Sequence, residues 1–138
     1  MNGYWQGAVA VLAHRPLAVR VLSLGLAFAA ITLGSGCQHK RTFAKDVQPI
    51  IQEKCIQCHE PGGIGYERSG LDMRTYDSLM KGTKFGKVII PGDSMDSVLM
   101  QLVEHRADPK INMPYQHPKL PDNYLKVIKE WIDQGAKP

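Results

Sequence analysis

Strand signals are nearly absent from this 138-residue chain, and other absences narrow the field further. There are only three cysteines, Cys37, Cys55 and Cys58, so a second Cys pair that could complete a zinc site is missing. Without strands there is no βαβ frame for a thioredoxin-like dithiol. No run of basic residues is long enough to track phosphates, which speaks against a nucleic-acid partner. No internal repeat is visible, and no apolar run reaches the roughly 20 residues of a membrane-spanning helix. Hydrophobic residues nonetheless make up 43% of the chain, too many for a disordered one. The class expected is all-α: one small domain of three to five short helices joined by long loops.

The N-terminus lacks something too: no Asp or Glu precedes Asp46. Arg15 and Arg20 lead into "VLSLGLAFAAITL", a 13-residue apolar stretch from Val21 to Leu33. That length suits the core of an export signal. "LGSGC" follows, and small residues before Cys37 resemble the lipobox of bacterial lipoproteins, although Gly34 stands where leucine is usual. The expectation is a signal peptide over 1–36, acylation at Cys37, a tether over 37–42 and a domain over 43–138. The alternatives are a plain cleaved signal or an uncleaved anchor helix. Cleavage before Cys37 leaves 102 residues and a net charge of +2 in place of +4. The stretch from Cys37 to Asp46 then reaches at most about 30 Å from the periplasmic face of a bacterial membrane. Lys40 and Arg41 would meet its anionic headgroups, a weak hold.

Helical periodicity places a first helix over "DVQPIIQEKCIQCH", with Asp46 as its N-cap and Val47, Ile50, Ile51 and Lys54 on one face. "EPGGIGYERSG" reads as loop. A short helix starts at a Thr75 cap and stops at Gly82. "KVIIPGD" is a brief extended run closed by a Pro91–Gly92 turn. A longer helix follows, capped by Asp93 or Ser94, with Met95, Val98, Leu99, Leu102 and Val103 as its stripe. Four prolines between 109 and 121 forbid a regular helix there. The last helix carries Tyr124, Leu125, Ile128, Trp131 and Ile132 on one face and ends at Gly135.

"CIQCH", Cys55 to His59, is the stretch that carries chemistry. Zinc lacks a full ligand set, and a redox dithiol lacks its frame. Covalent attachment of one haem c fits: each thiol adds across a vinyl group, and His59 is delivered to one face of the iron. The other face needs a ligand or stays open. Met73, Met80, Met95 and Met100 sit in or near helices, where they read as core filler. Met113 lies in "NMP" within the proline-rich loop, 54 residues after His59, where no helix stripe explains it. Pro114 would stiffen that loop. Met113 is the leading candidate, with His105, His117 or an open site as alternatives. His117 also reads as a solvated loop residue, and His105 as a helix C-terminal charge.

The chain resembles class I cytochromes c, and more narrowly the planctomycete-type cytochrome c domain. The residues that carry this are "FAKDVQPIIQEKCIQCH", "SGLDM", "LMKG", "VIIPGDSMDSVLMQLVE", "INMP" and "LPDNYLKVIKEWIDQGA". The resemblance implies that the first and last helices cross and cover the haem, with His59 and Met113 as axial ligands. The family more often has Ser where Pro121 stands. Electron exchange with redox proteins, without a small-molecule substrate, is the function this implies. Leu71, Leu99, Ile111, Ile128 and Trp131 are expected to form a dry pocket. The His59 N–H is expected to donate to a carbonyl between 61 and 71. Lys54, Lys81, Lys84 and Lys87 are candidates for a docking rim. A haem sensor with a labile Met113, an enzyme, or a subunit of a larger complex are the competing readings.

Overall fold

The computed structural model describes residues 39–138, and it is helical with long irregular connections. Cys37 and the expected signal segment lie outside the described residues. Among those residues a π-type turn over Phe43–Val47 runs into α1 (Gln48–Lys54). Then come α2 (Ile64–Ser69), α3 (Tyr76–Lys81), α4 (Val98–Val103) and α5 (Asp122–Asp133). None of these helices is long and apolar enough to cross a membrane.

The first helical segment begins earlier than the expected Asp46 cap. Thr42 is its N-cap, accepting from the Lys45 N–H, and Asp46 reaches back to accept from the Thr42 N–H at 2.9 Å. Both side chains thus satisfy donors that a helix start leaves orphaned. Phe43, Val47, Ile50 and Ile51 turn inward, while Lys54 stays exposed. Residues 39–42, expected to be tether, are tied to the end of α5. The Arg41 N–H donates to Gln134 and its guanidinium to Glu130 and Asp46. The Arg41 charge is therefore spent inside the domain.

Two expectations fail for identifiable reasons. "IGYERS" forms α2 rather than loop, but no residue of it is buried, so no apolar stripe announced it. The helix expected from Asp93 shrinks to six residues with Ser97 as N-cap. Asp93 caps only a single turn, its carboxylate accepting from the Asp96 N–H, while the Ser94 N–H donates to Asp133. Ser97 Oγ donates to the Asp93 carbonyl at 2.6 Å and accepts from Ile90 N–H at 2.9 Å, which folds 90–97 into a bend. The stripe turns as well. Leu99, Met100 and Val103 are buried, whereas Met95 and Val98 are exposed.

The α3 and α5 readings hold. Thr75 and Ser78 form a capping box on α3. α5 buries Leu125, Ile128, Trp131 and Ile132. It starts at Pro121 with no side-chain cap, so Asp122 does not replace the missing serine. It ends in a Schellman motif: Ala136 N–H donates to Trp131 O and Gly135 N–H to Ile132 O, each at 2.9 Å. Gly135 has φ +94, which a Cβ would strain. The C-terminal segment then meets the first turn. The Lys137 carbonyl accepts from Phe43 N–H and Trp131 Nε1, and the Ala136 carbonyl from the Tyr76 hydroxyl. Phe43 packs between Tyr76 and Trp131 at ring distances of 5.8 and 5.9 Å. The core sits beneath this clasp, with α5 joined to α1 by the Tyr124–Glu53 hydrogen bond of 2.7 Å.

Candidate functional site

"CIQCH" continues the end of α1 as tight turns. The Cys55 N–H donates to Ile51 O, Cys58 N–H to Cys55 O, and His59 N–H to Cys55 O and Ile56 O. The following loop then locks the motif from outside. The Tyr66 N–H donates to Cys58 O and the Met73 N–H to His59 O, each at 2.9 Å. The approach is so close that only glycine fits. A Cβ on Gly63 would lie 2.5 Å from Cys58 O. One on Gly65 would lie 2.8 Å from His59 Cε1 and 2.9 Å from its Nε2. Of the glycines that look like loop composition in sequence, Gly63 lets the chain pass close to the Cys58 carbonyl and Gly65 close to the histidine ring.

The two sulfurs differ. Cys55 is half-buried against the core and Cys58 is exposed; they are not joined to each other. Burial, and then the neighbouring Cys58, push the Cys55 thiol up to about 11. A redox dithiol needs the opposite, an activated thiolate. Among the described residues no group of three or more His, Cys, Asp and Glu side chains is arranged to hold a metal ion.

The His59 ring is lowered in pKa by burial, with the Leu71 backbone pulling the other way. Its Nδ1 is buried without a partner of good hydrogen-bond geometry. The Leu71 carbonyl is thus near enough to act on the ring but not aligned with it. Leu71 lies within the 61–71 stretch from which a carbonyl partner was expected. A neutral imidazole keeps a lone pair for a metal. Burial here favours that state.

The methionines sort by environment. Met73 and Met100 are buried in the core at 3% and 0% exposure, and Met95 is exposed at 65%. Met80 and Met113 are half-buried against the core. Met113 is also clipped to the end of α4: its N–H donates to Leu102 O at 3.0 Å, and its carbonyl accepts from His105 Nε2 at 3.1 Å. His105 therefore does not serve only as a helix-end charge. His117 is exposed in the proline-rich loop. Of the expected pocket, Leu71, Leu99, Ile128 and Trp131 are buried, but Ile111 is 53% exposed because its loop turns it outward. Cys55, Ile56, Tyr76, Met80, Met113, Tyr124 and Val127 are half-buried apolar side chains that each pack against the core.

Residues 55–116 match the family model of planctomycete cytochrome C. Over that stretch, just under half of its length, the chain is similar to the planctomycete-type cytochrome c domain. The cytochrome c family implies covalently attached haem c, and Cys55, Cys58 and His59 supply its attachment motif. The half-buried apolar side chains, the close-passing glycines and the neutral histidine fit such a group. Among curated proteins, the chain is 29% identical over 122 residues to hydrazine synthase subunit alpha of Kuenenia stuttgartiensis. That alignment takes in 69% of the chain and 15% of the much longer relative. No solved structure matches the chain.

Proposed function

We propose that this c-type cytochrome is a one-haem electron carrier, with His59 and Met113 as axial ligands, lipid-anchored through Cys37 on the periplasmic side of a bacterial membrane. The observation that carries the ligand pair is the sorting of the methionines. Met113 is half-buried against the core on an irregular loop, with both its N–H and its carbonyl held at the end of α4, whereas half-buried Met80 belongs to the regular turn of α3.

The bound haem supplies a one-electron iron couple. Cys55 and Cys58 would fasten it, and His59 would offer its imidazole, whose burial favours the neutral form, beside Gly65, where a Cβ would crowd the ring. Met113 offers a soft thioether, which favours the reduced iron and raises the potential. Leu99, Ile128 and Trp131 keep water from the interior. If His59 and Met113 both hold the iron, no position would be left for a substrate, so the reading is electron transfer without substrate chemistry of its own. Lys81, Lys84 and Lys87 are exposed and would steer an acidic redox partner; Lys54 is already paired with Glu53 at 2.8 Å.

Carbon monoxide binding to the reduced protein tests this. Slow or negligible binding at neutral pH is expected. Rapid, tight binding would favour a sensor or an enzyme. A second reading is an electron-transfer module of a larger redox assembly, favoured by a relative in which the similar region is a small part of a longer protein. Co-purification with neighbouring proteins separates the two.

A further inference from the structure

We propose that His105 is a positioning residue for the Met113 thioether. The inference rests on Met113 being the second axial ligand. A carbonyl only accepts, so the 3.1 Å contact to Met113 O requires a hydrogen on His105 Nε2. That nitrogen is then occupied and turned away from any ligand role. Met113 is gripped at two adjacent points, its N–H by Leu102 O and its carbonyl by His105, both at the end of α4. α4 is itself seated in the core through Leu99, Met100 and Val103. The thioether's place is therefore referred to the core through one helix end rather than through the proline-rich loop.

The backbone of His105 supports the same conclusion. Its φ is +58, a left-handed conformation uncommon for residues other than glycine. The Arg106 N–H donates to Gln101 O and the His105 N–H to Leu102 O, so α4 is already closed without the ring. An ordinary helix end would place glycine here. A side chain in this position has to be explained by what it contacts, and the contact the ring makes is with the ligand's own carbonyl. Asn112, just before Met113, is buried with its Oδ1 unpaired, so that oxygen makes no hydrogen bond that would hold the loop.

The test is His105→Gly beside His105→Gln in the haem-loaded full chain. Glycine suits φ +58 and should keep the backbone while removing the ring. Glutamine retains an N–H donor. The readouts are the far-red Met–ferric absorption band and the affinity of the ferric protein for added imidazole, which competes with the thioether. For His105→Gly we expect a weakened band and about tenfold tighter imidazole binding, equivalent to about 1.4 kcal/mol. For His105→Gln we expect values near those of the unaltered protein. Unchanged imidazole affinity and band in His105→Gly overturn the proposal. Should His105→Gly not fold, His105→Gln decides: tenfold tighter imidazole binding despite the retained donor overturns it. Met113→Ala separates the two ideas. If the band survives Met113→Ala, the ligand reading fails and this inference falls with it. If Met113→Ala abolishes the band and His105→Gly leaves it intact, only the positioning role fails.

Discussion

The two halves of the site are built in opposite ways. The His59 half is local: both cysteines, the histidine and the glycines beside them fall between residues 55 and 65. Its ring lies close beside Gly65, where a Cβ would collide with it. The Met113 half is assembled at a distance. Its residue sits on an irregular loop and is fixed by hydrogen bonds to residues 8 and 11 positions earlier. The contrast implies a division of labour: one half retains the cofactor, and the other sets its properties.

Breaking each half in turn should show this, and the largest effect lies on the His59 side. Replacing Cys55 and Cys58 together by serine should abolish covalent haem, read by haem staining and a pyridine haemochrome spectrum. Covalent haem in the double variant would end the attachment assignment. Met113→Ala should do less. The haem stays attached, the far-red band disappears and the potential falls by a sizeable part of the roughly 0.8 V that axial ligands span. A potential within error of the unaltered protein would move the second ligand elsewhere, with half-buried Met80 the next residue to test.

Gly65→Ala probes contact rather than ligation. Alanine ordinarily suits a helix such as α2, so propensity predicts a gain. The Cβ would instead meet His59 Cε1 at 2.8 Å and Cys58 O at 2.9 Å. A loss of about 1–3 kcal/mol is expected from such overpacking, measured by denaturant unfolding of the haem-loaded protein. A stabilised Gly65→Ala variant would show that the contact is looser than drawn.

The same contrast governs what the sequence reveals. The His59 half was legible because its chemistry is contiguous: a five-residue motif states both the fasteners and the ligand. α3 and α5 were legible because a capping box and an apolar stripe are local signals. α2 was not, since it buries nothing. The start of α4 differs from the expectation because the turn that Asp93 caps breaks off at Ser97, whose hydroxyl bonds back to the Asp93 carbonyl. Met113 stood out only as an apolar residue with no helix to explain it. Its clip to His105 had no sequence signal, because it depends on a left-handed residue and on how an eight-residue loop closes.

The smallest expected effect lies in the clasp that serves both halves. The Thr42 N–H, followed by the Arg41 guanidinium, holds the Asp46 carboxyl down to about 2 from its ordinary 3.8. A depressed folded-state pKa contributes stability above the unfolded value and loses it as pH falls through the folded one. The window here is from about pH 4 down to about pH 2. Asp46 is 8% exposed, so solvent screens it only in part, and about 1–2 kcal/mol is at stake. Asp46→Asn should lower Tm at pH 6 by about 5–10 °C and show a shallower further loss between pH 4 and pH 2. It should leave the far-red band intact, because the clasp joins the first turn to the end of α5 and touches neither proposed ligand. Parallel acid curves for the variant and the unaltered protein would show that the clasp adds nothing. Loss of the band at pH 6 would show that the two halves are coupled through α5 after all.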